Sequence, residues 1–130
     1  MNKKPTILFD VDGVVADFLT PTLKFVNNML KTNYVADDIK QWNMFDSLKA
    51  DGINVEEECF NYYAQDGFAL KLHPYKKSLE PVRYINKIAN LYFVTVPVKN
   101  SRTWCHDRVA WLKEHFGIDD EQVLFTHNKS

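Results

Sequence analysis

Asp10 and Asp12, one residue apart and followed at once by Gly13, are the residues whose types and spacing point most directly to chemistry. Two carboxylates held together repel, so such a pair either shares a proton or is neutralised by a hard cation. Mg²⁺ suits the second case, because it takes one or two protein carboxylates and completes its shell with water and substrate phosphate oxygens. Metal-assisted phosphoryl transfer is therefore the first reading, with Asp10 and Asp12 as candidate metal ligands. The alternative is an ordinary Asp-x-Asp-Gly turn, since Asp and Gly are common turn residues. Side chains alternate along a strand, so both acids reach one pocket only where the backbone turns at once, which glycine permits.

The run Thr6-Ile7-Leu8-Phe9 must position this pair. It predicts a strand buried on both faces that delivers the acids at its carboxyl end, where open α/β sheets bind their ligands. From Asp17 onward the period changes. Leu19, Leu23, Val26 and Leu30 form the stripe of an amphipathic helix with Pro21 in its first turn, and the positive amino end of such a helix favours a nearby phosphate. Asp37 is the expected cap of a short helix holding Ile39 and Trp42. Asn54 is the expected cap of a helix that carries Glu56, Glu57 and Glu58 and stops at Asp66-Gly67. Residues 18–75 thus read as helices without strands.

Ser78 is the expected cap of the next helix, with Glu80 and Pro81 in its first turn and Leu79, Val82, Ile85 and Ile88 facing inward. Leu91-Tyr92-Phe93-Val94 reads as a second buried strand closed by Thr95 and stopped by Pro97. Asn100 or Ser101 would cap a helix striped by Cys105, Val109, Leu112 and Phe116 and ended by Gly117, and Gln122 to Thr126 would form a third strand.

At 130 residues the chain is of single-domain size, and 45% hydrophobic and 14% aromatic content is that of a globular protein. A net charge of -1 gives no basis for binding a nucleic-acid polymer through bulk charge. Cys59 and Cys105 form no ligand or redox motif, and His73, His106, His115 and His127 show no ligand spacing. With neither a signal peptide nor a long apolar span, the expectation is a cytoplasmic protein that does not bind membranes. Trp42, Phe45 and Phe68 are candidates for stacking on a base, against core packing as the default.

The stretch Asp10-Val11-Asp12-Gly13-Val14-Val15-Ala16-Asp17-Phe18 resembles the first motif of the haloacid dehalogenase superfamily, and within it the 5'(3')-deoxyribonucleotidases. The resemblance continues through Leu91 to Gly117 and into Phe125-Thr126-His127-Asn128-Lys129-Ser130. It implies a Rossmann-like α/β core, residues 1–17 and 76–130, with a small helical cap, residues 18–75, inserted after the first strand. Asp10 would be the nucleophile that forms an aspartyl phosphate and Asp12 the general acid and base, with Mg²⁺ bound by Asp10 and the Asp12 carbonyl. Phosphate would be held by the Thr95 hydroxyl, the backbone N–H of Val96, Lys99 and Lys129. Val96 stands where the family has a small residue, so a side-chain hydroxyl is lost there.

The implied substrate is a deoxynucleoside monophosphate. The family's fourth motif, a further strand ending in paired acids that complete the metal site, is not found before Ser130. The expectation is therefore a member truncated before that motif, with a homo-oligomer or a partner chain completing the sheet. Its alternative is a catalytically impaired homologue acting as a nucleotide-binding or assembly module, or one part of a split enzyme.

Overall fold

A computed structural model describes residues 3–127. Strand β1, Thr6–Asp10, pairs in parallel with β4, Asn90–Thr95, in a register running from Thr6 opposite Asn90 to Asp10 opposite Val94. On the far side of β4 lies β5, Val123–Phe125, also parallel, with Phe93 opposite Val123. The sheet order is β1-β4-β5. Helices α4, Lys76–Ile88, and α5, Trp104–Phe116, precede β4 and β5 respectively, so the core is the expected Rossmann-like α/β arrangement.

Both connections step across the sheet in the same direction. Right-handed crossovers that do so place their helices on one face. Phe116 of α5 lies 6.1 Å ring to ring from Phe93, and Val82 of α4, Leu91 and Val123 join the same core cluster. On the other face Leu8 is 61% exposed and Leu124 44% exposed. The expectation of a first strand buried on both faces is corrected here: an apolar run reports what could be covered, but no element among the described residues reaches that side.

Between β1 and α4 the chain makes a helical insertion whose two ends are joined by a short antiparallel pair, β2, Ala16–Asp17, with β3, His73–Pro74. Two-residue strands leave no alternating pattern, so the reading of 18–75 as strand-free missed β3. Helix α1, Leu19–Leu30, begins where Asp17 accepts both the backbone N–H and the hydroxyl of Thr20. Its buried side packs on α3, Glu56–Tyr63, and the Thr22 hydroxyl shares a 2.7 Å buried hydrogen bond with the Tyr63 hydroxyl. A further helix, α2, Met44–Ala50, is capped by the Asn43 side chain, which accepts from the Phe45 N–H. The short helix expected around Ile39 and Trp42 is instead a single 3₁₀ turn at Ala36–Asp38, ahead of both residues.

Other boundaries also move. The backbone enters α4 before Ser78, whose hydroxyl donates back to the Tyr75 carbonyl at 2.6 Å, so Ser78 is no cap and Pro81 lies inside the helix. Helix α5 starts at Trp104, after both expected caps, and its buried side is Trp104, Asp107, Arg108, Trp111, Leu112 and Phe116; Cys105 of the expected stripe is exposed. No helix among the described residues is long and apolar enough to cross a membrane.

Candidate active site

Beyond β1 the backbone folds back on itself within a few residues. The Val11 carbonyl accepts from the N–H groups of Val14, Val15 and Ala16, the Gly13 N–H donates to the Ala16 carbonyl, and Gly13 takes φ +78°, a value side-chain-bearing residues avoid. Val11, Val15 and Ala16 are buried and fasten this turn to the core. Asp10 and Asp12 are thereby carried onto one wall of a cavity of about 470 Å³, whose other lining residues include Phe18, Ile39, Trp42, Met44 and Tyr75. One carboxylate oxygen of Asp10 accepts from the Val11 N–H at 2.8 Å.

Asp12 is held from a distant part of the chain. Arg108 of α5 donates from Nη2 to Asp12 Oδ1 at 2.8 Å, and the two side chains are 1% and 33% exposed. The guanidinium carbon stands 4.8 Å from the ring centre of Trp104, one turn earlier on the same helix. Arg108 Nε and Nη1 have no hydrogen-bond partner among the described residues. Sequence reading missed this residue. The available signal was its place between Trp104 and Leu112 on the inward side of a helix, where an arginine needs an anion.

Thr95 ends β4, opposite Phe125 in register and wholly buried. Its hydroxyl is buried without a hydrogen-bond partner among the described residues. Neither Thr95 nor Val96 nor Lys99 lines the cavity that holds the two aspartates; Val96 and Lys99 are exposed beyond the strand. Lys129 lies outside the described residues. Of the three rings expected near a base, Trp42 lines the cavity and is fully exposed. Phe45 is buried beside Phe60, and Phe68 is buried among Phe18, Tyr63 and Trp104. These two offer packing, with no face turned to the aspartates.

Tyr75 brings a phenol to the same cavity. Burial and then the Asp17 carboxylate raise its pKa above the usual 10.0, so it remains a neutral hydrogen-bond donor. Burial pushes the Cys59 thiol up to about 11, and partial desolvation raises that of Cys105, exposed though it is. Among the described residues no cluster of three His, Cys, Asp or Glu side chains could hold a metal. The Asp10–Asp12 pair nevertheless has the hard oxygen donors that Mg²⁺ accepts together with phosphate and water.

A family model described as 5' nucleotidase, deoxy (pyrimidine), cytosolic type C protein matches residues 4–130. The mitochondrial 5'(3')-deoxyribonucleotidase of Mus musculus is 26% identical over 129 residues, covering 95% of this chain and 59% of the relative. That of Homo sapiens is 25% identical over 129 residues, covering 95% and 57%. The 5'(3')-deoxyribonucleotidase of Clostridium acetobutylicum is 24% identical over 127 residues, covering 97% and 67%. The chain thus spans less than three fifths of the length of the two mammalian relatives.

Proposed function

This chain belongs to the deoxy (pyrimidine), cytosolic type C family of 5' nucleotidases, and on that premise we propose that it is a phosphatase acting on deoxynucleoside monophosphates. The observation that carries the reading is the presentation of Asp10 and Asp12 on one cavity wall at the carboxyl ends of parallel strands, beside a buried cationic guanidinium. In this reading an Asp10 oxygen attacks phosphorus, and the ester oxygen leaves with a proton from Asp12. Asp12 then takes a proton from water as the water oxygen attacks the aspartyl phosphate, which releases inorganic phosphate and regenerates Asp10. Trp42, Ile39 and Met44 give the cavity an apolar rim on which a nucleobase can stack.

Asp10 and the main-chain carbonyl of Asp12 would hold a divalent cation, proposed as Mg²⁺, which offsets the charge that phosphate brings when bound. With so few protein ligands, its affinity should depend on phosphate oxygens completing the shell. The reading extends to partners. Strand β1 is an edge of the described sheet, and one face of that sheet exposes Leu8 and Leu124, so a second copy or a separate chain has both an edge to extend and an apolar face to cover.

The test is hydrolysis of deoxynucleoside monophosphates by the purified chain with Mg²⁺, set against Asp10→Asn. That variant keeps the shape and removes the attacking charge, so turnover should fall by roughly a thousandfold or more, within the span that covalent and acid–base groups contribute. A variant as fast as the parent would remove Asp10 from the reaction.

A further inference from the structure

The Arg108–Asp12 contact is an unusual ion pair. A guanidinium placed to stabilise a fold normally has its donors filled, because each buried unmet donor loses its bond to water and gains none in return. Arg108 is 1% exposed, yet Nε and Nη1 find no partner among the described residues, and Nη2 alone reaches Asp12 Oδ1. Its place is set by a stack of rings. Trp104 lies beneath the guanidinium, and Phe68 stacks with Trp104, the two planes 16° apart. Phe18, at the cavity wall, packs on both Phe68 and Trp104.

We propose that Arg108 is the positioning residue for Asp12, itself held by Trp104 and Phe68, and that it selects which carboxylate oxygen handles the proton. By taking Oδ1 it leaves Oδ2 as the oxygen that gives the proton to the departing ester oxygen and later receives one from water. The inference rests on the phosphatase reading above and assigns an atom and a support to its acid. Trp104, Arg108 and Asp12 act in that order: aromatic face, cation, carboxylate. Lysine would be a poor substitute, since a compact ammonium neither stacks as a plane nor keeps one donor fixed at that distance.

A change of leaving group separates positioning from mere phosphate binding or folding. The ester oxygen of a deoxynucleotide needs a proton as it leaves, whereas p-nitrophenolate leaves without one. The ratio kcat/KM reports only the steps up to formation of the aspartyl phosphate, before Asp12 acts as a base. For Arg108→Met, kcat/KM should fall about 100-fold with a deoxynucleoside monophosphate, as expected for a misplaced acid, and less than about tenfold with p-nitrophenyl phosphate. Arg108→Lys should recover only part of the loss, and Trp104→Leu, which retains the guanidinium, should shift the two substrates unequally in the same sense.

Equal losses on both substrates would overturn the proposal. Crystal structures of the parent, Arg108→Lys and Arg108→Met supply a readout independent of turnover: the Asp12 carboxylate should rotate away in the Met variant, and an unmoved carboxylate would overturn the proposal as well. If the parent hydrolyses neither ester, the phosphatase reading fails. The position of Asp12 in those crystals still decides whether Arg108 sets it.

Discussion

The two faces of the β1-β4-β5 sheet both carry large apolar side chains and end in opposite conditions. On one face Phe9, Leu91, Phe93 and Val123 meet Val82, Leu112 and Phe116 from α4 and α5. On the other, Thr6, Leu8 and Asp10 of β1 run beside Tyr92 and Val94 of β4, and Leu124 of β5 stands half open to solvent. Hydropathy alone does not decide which is covered, since the more polar open face still carries Leu8, Val94 and Leu124. Crossover handedness does, because both helices are delivered to the same side. Parallel strands are ordinarily covered on both faces. The catalytic candidates grow from β1, an edge strand with one open face, and the acids are supported by long-range contacts such as that of Arg108 with Asp12.

The sharpest way to break this comparison is to remove a ring from each face. Phe93→Ala, on the covered face, should cost about 3–5 kcal/mol in urea unfolding, because it leaves a cavity against Phe9 and Phe116. A loss below about 1 kcal/mol would mean that this face is not the core. Leu8→Ala, on the open face, should cost the dispersed chain less than about 1 kcal/mol, since most of the side chain already meets water. The same position should matter more for association: Leu8→Lys should lower the apparent mass in light scattering at high concentration if the open face pairs with a second copy. A parent that remains monomeric at every concentration would remove the second copy as the covering partner.

The smallest effect concerns the exposed pair of Arg102 and Asp66 at the junction of α5 with the insertion, 2.6 Å apart. The hydrogen bond from Arg102 holds the Asp66 carboxyl below its ordinary value of 3.8. A depressed carboxyl contributes stability that is complete above the unfolded value and is lost as pH falls through the folded one. Asp66→Asn should therefore differ slightly from the parent at neutral pH, and the two should converge on acidification below 3.8. A gap that widens in acid would contradict this sign.

What the linear chain determined was local. Gly13 directly after the acids dictated the reversal that brings Asp10 and Asp12 to one wall, and the apolar stripe from Leu19 to Leu30 dictated α1. The strand around Phe93 and the stop at Gly117, with φ +67°, were equally legible, since each depends on residues within one or two turns. Helix entries are less legible: Ser78 looks like a cap but donates back to Tyr75 from inside α4, and Asn100 or Ser101 gives way to an entry at Thr103, whose hydroxyl accepts from the distant Gly67 N–H.

Only the tertiary structure decided the rest. Arg108 and Asp12 are 96 residues apart, Trp111 donates to the Leu72 carbonyl across 39, and β2 closes on β3 around the whole insertion. Periodicity names the side of an element that can be buried and is silent on which distant residue will meet it. The physical reason is that such contacts depend on the direction in which successive crossovers step across the sheet. That direction left Leu8 uncovered and placed a guanidinium against the acid at the end of β1.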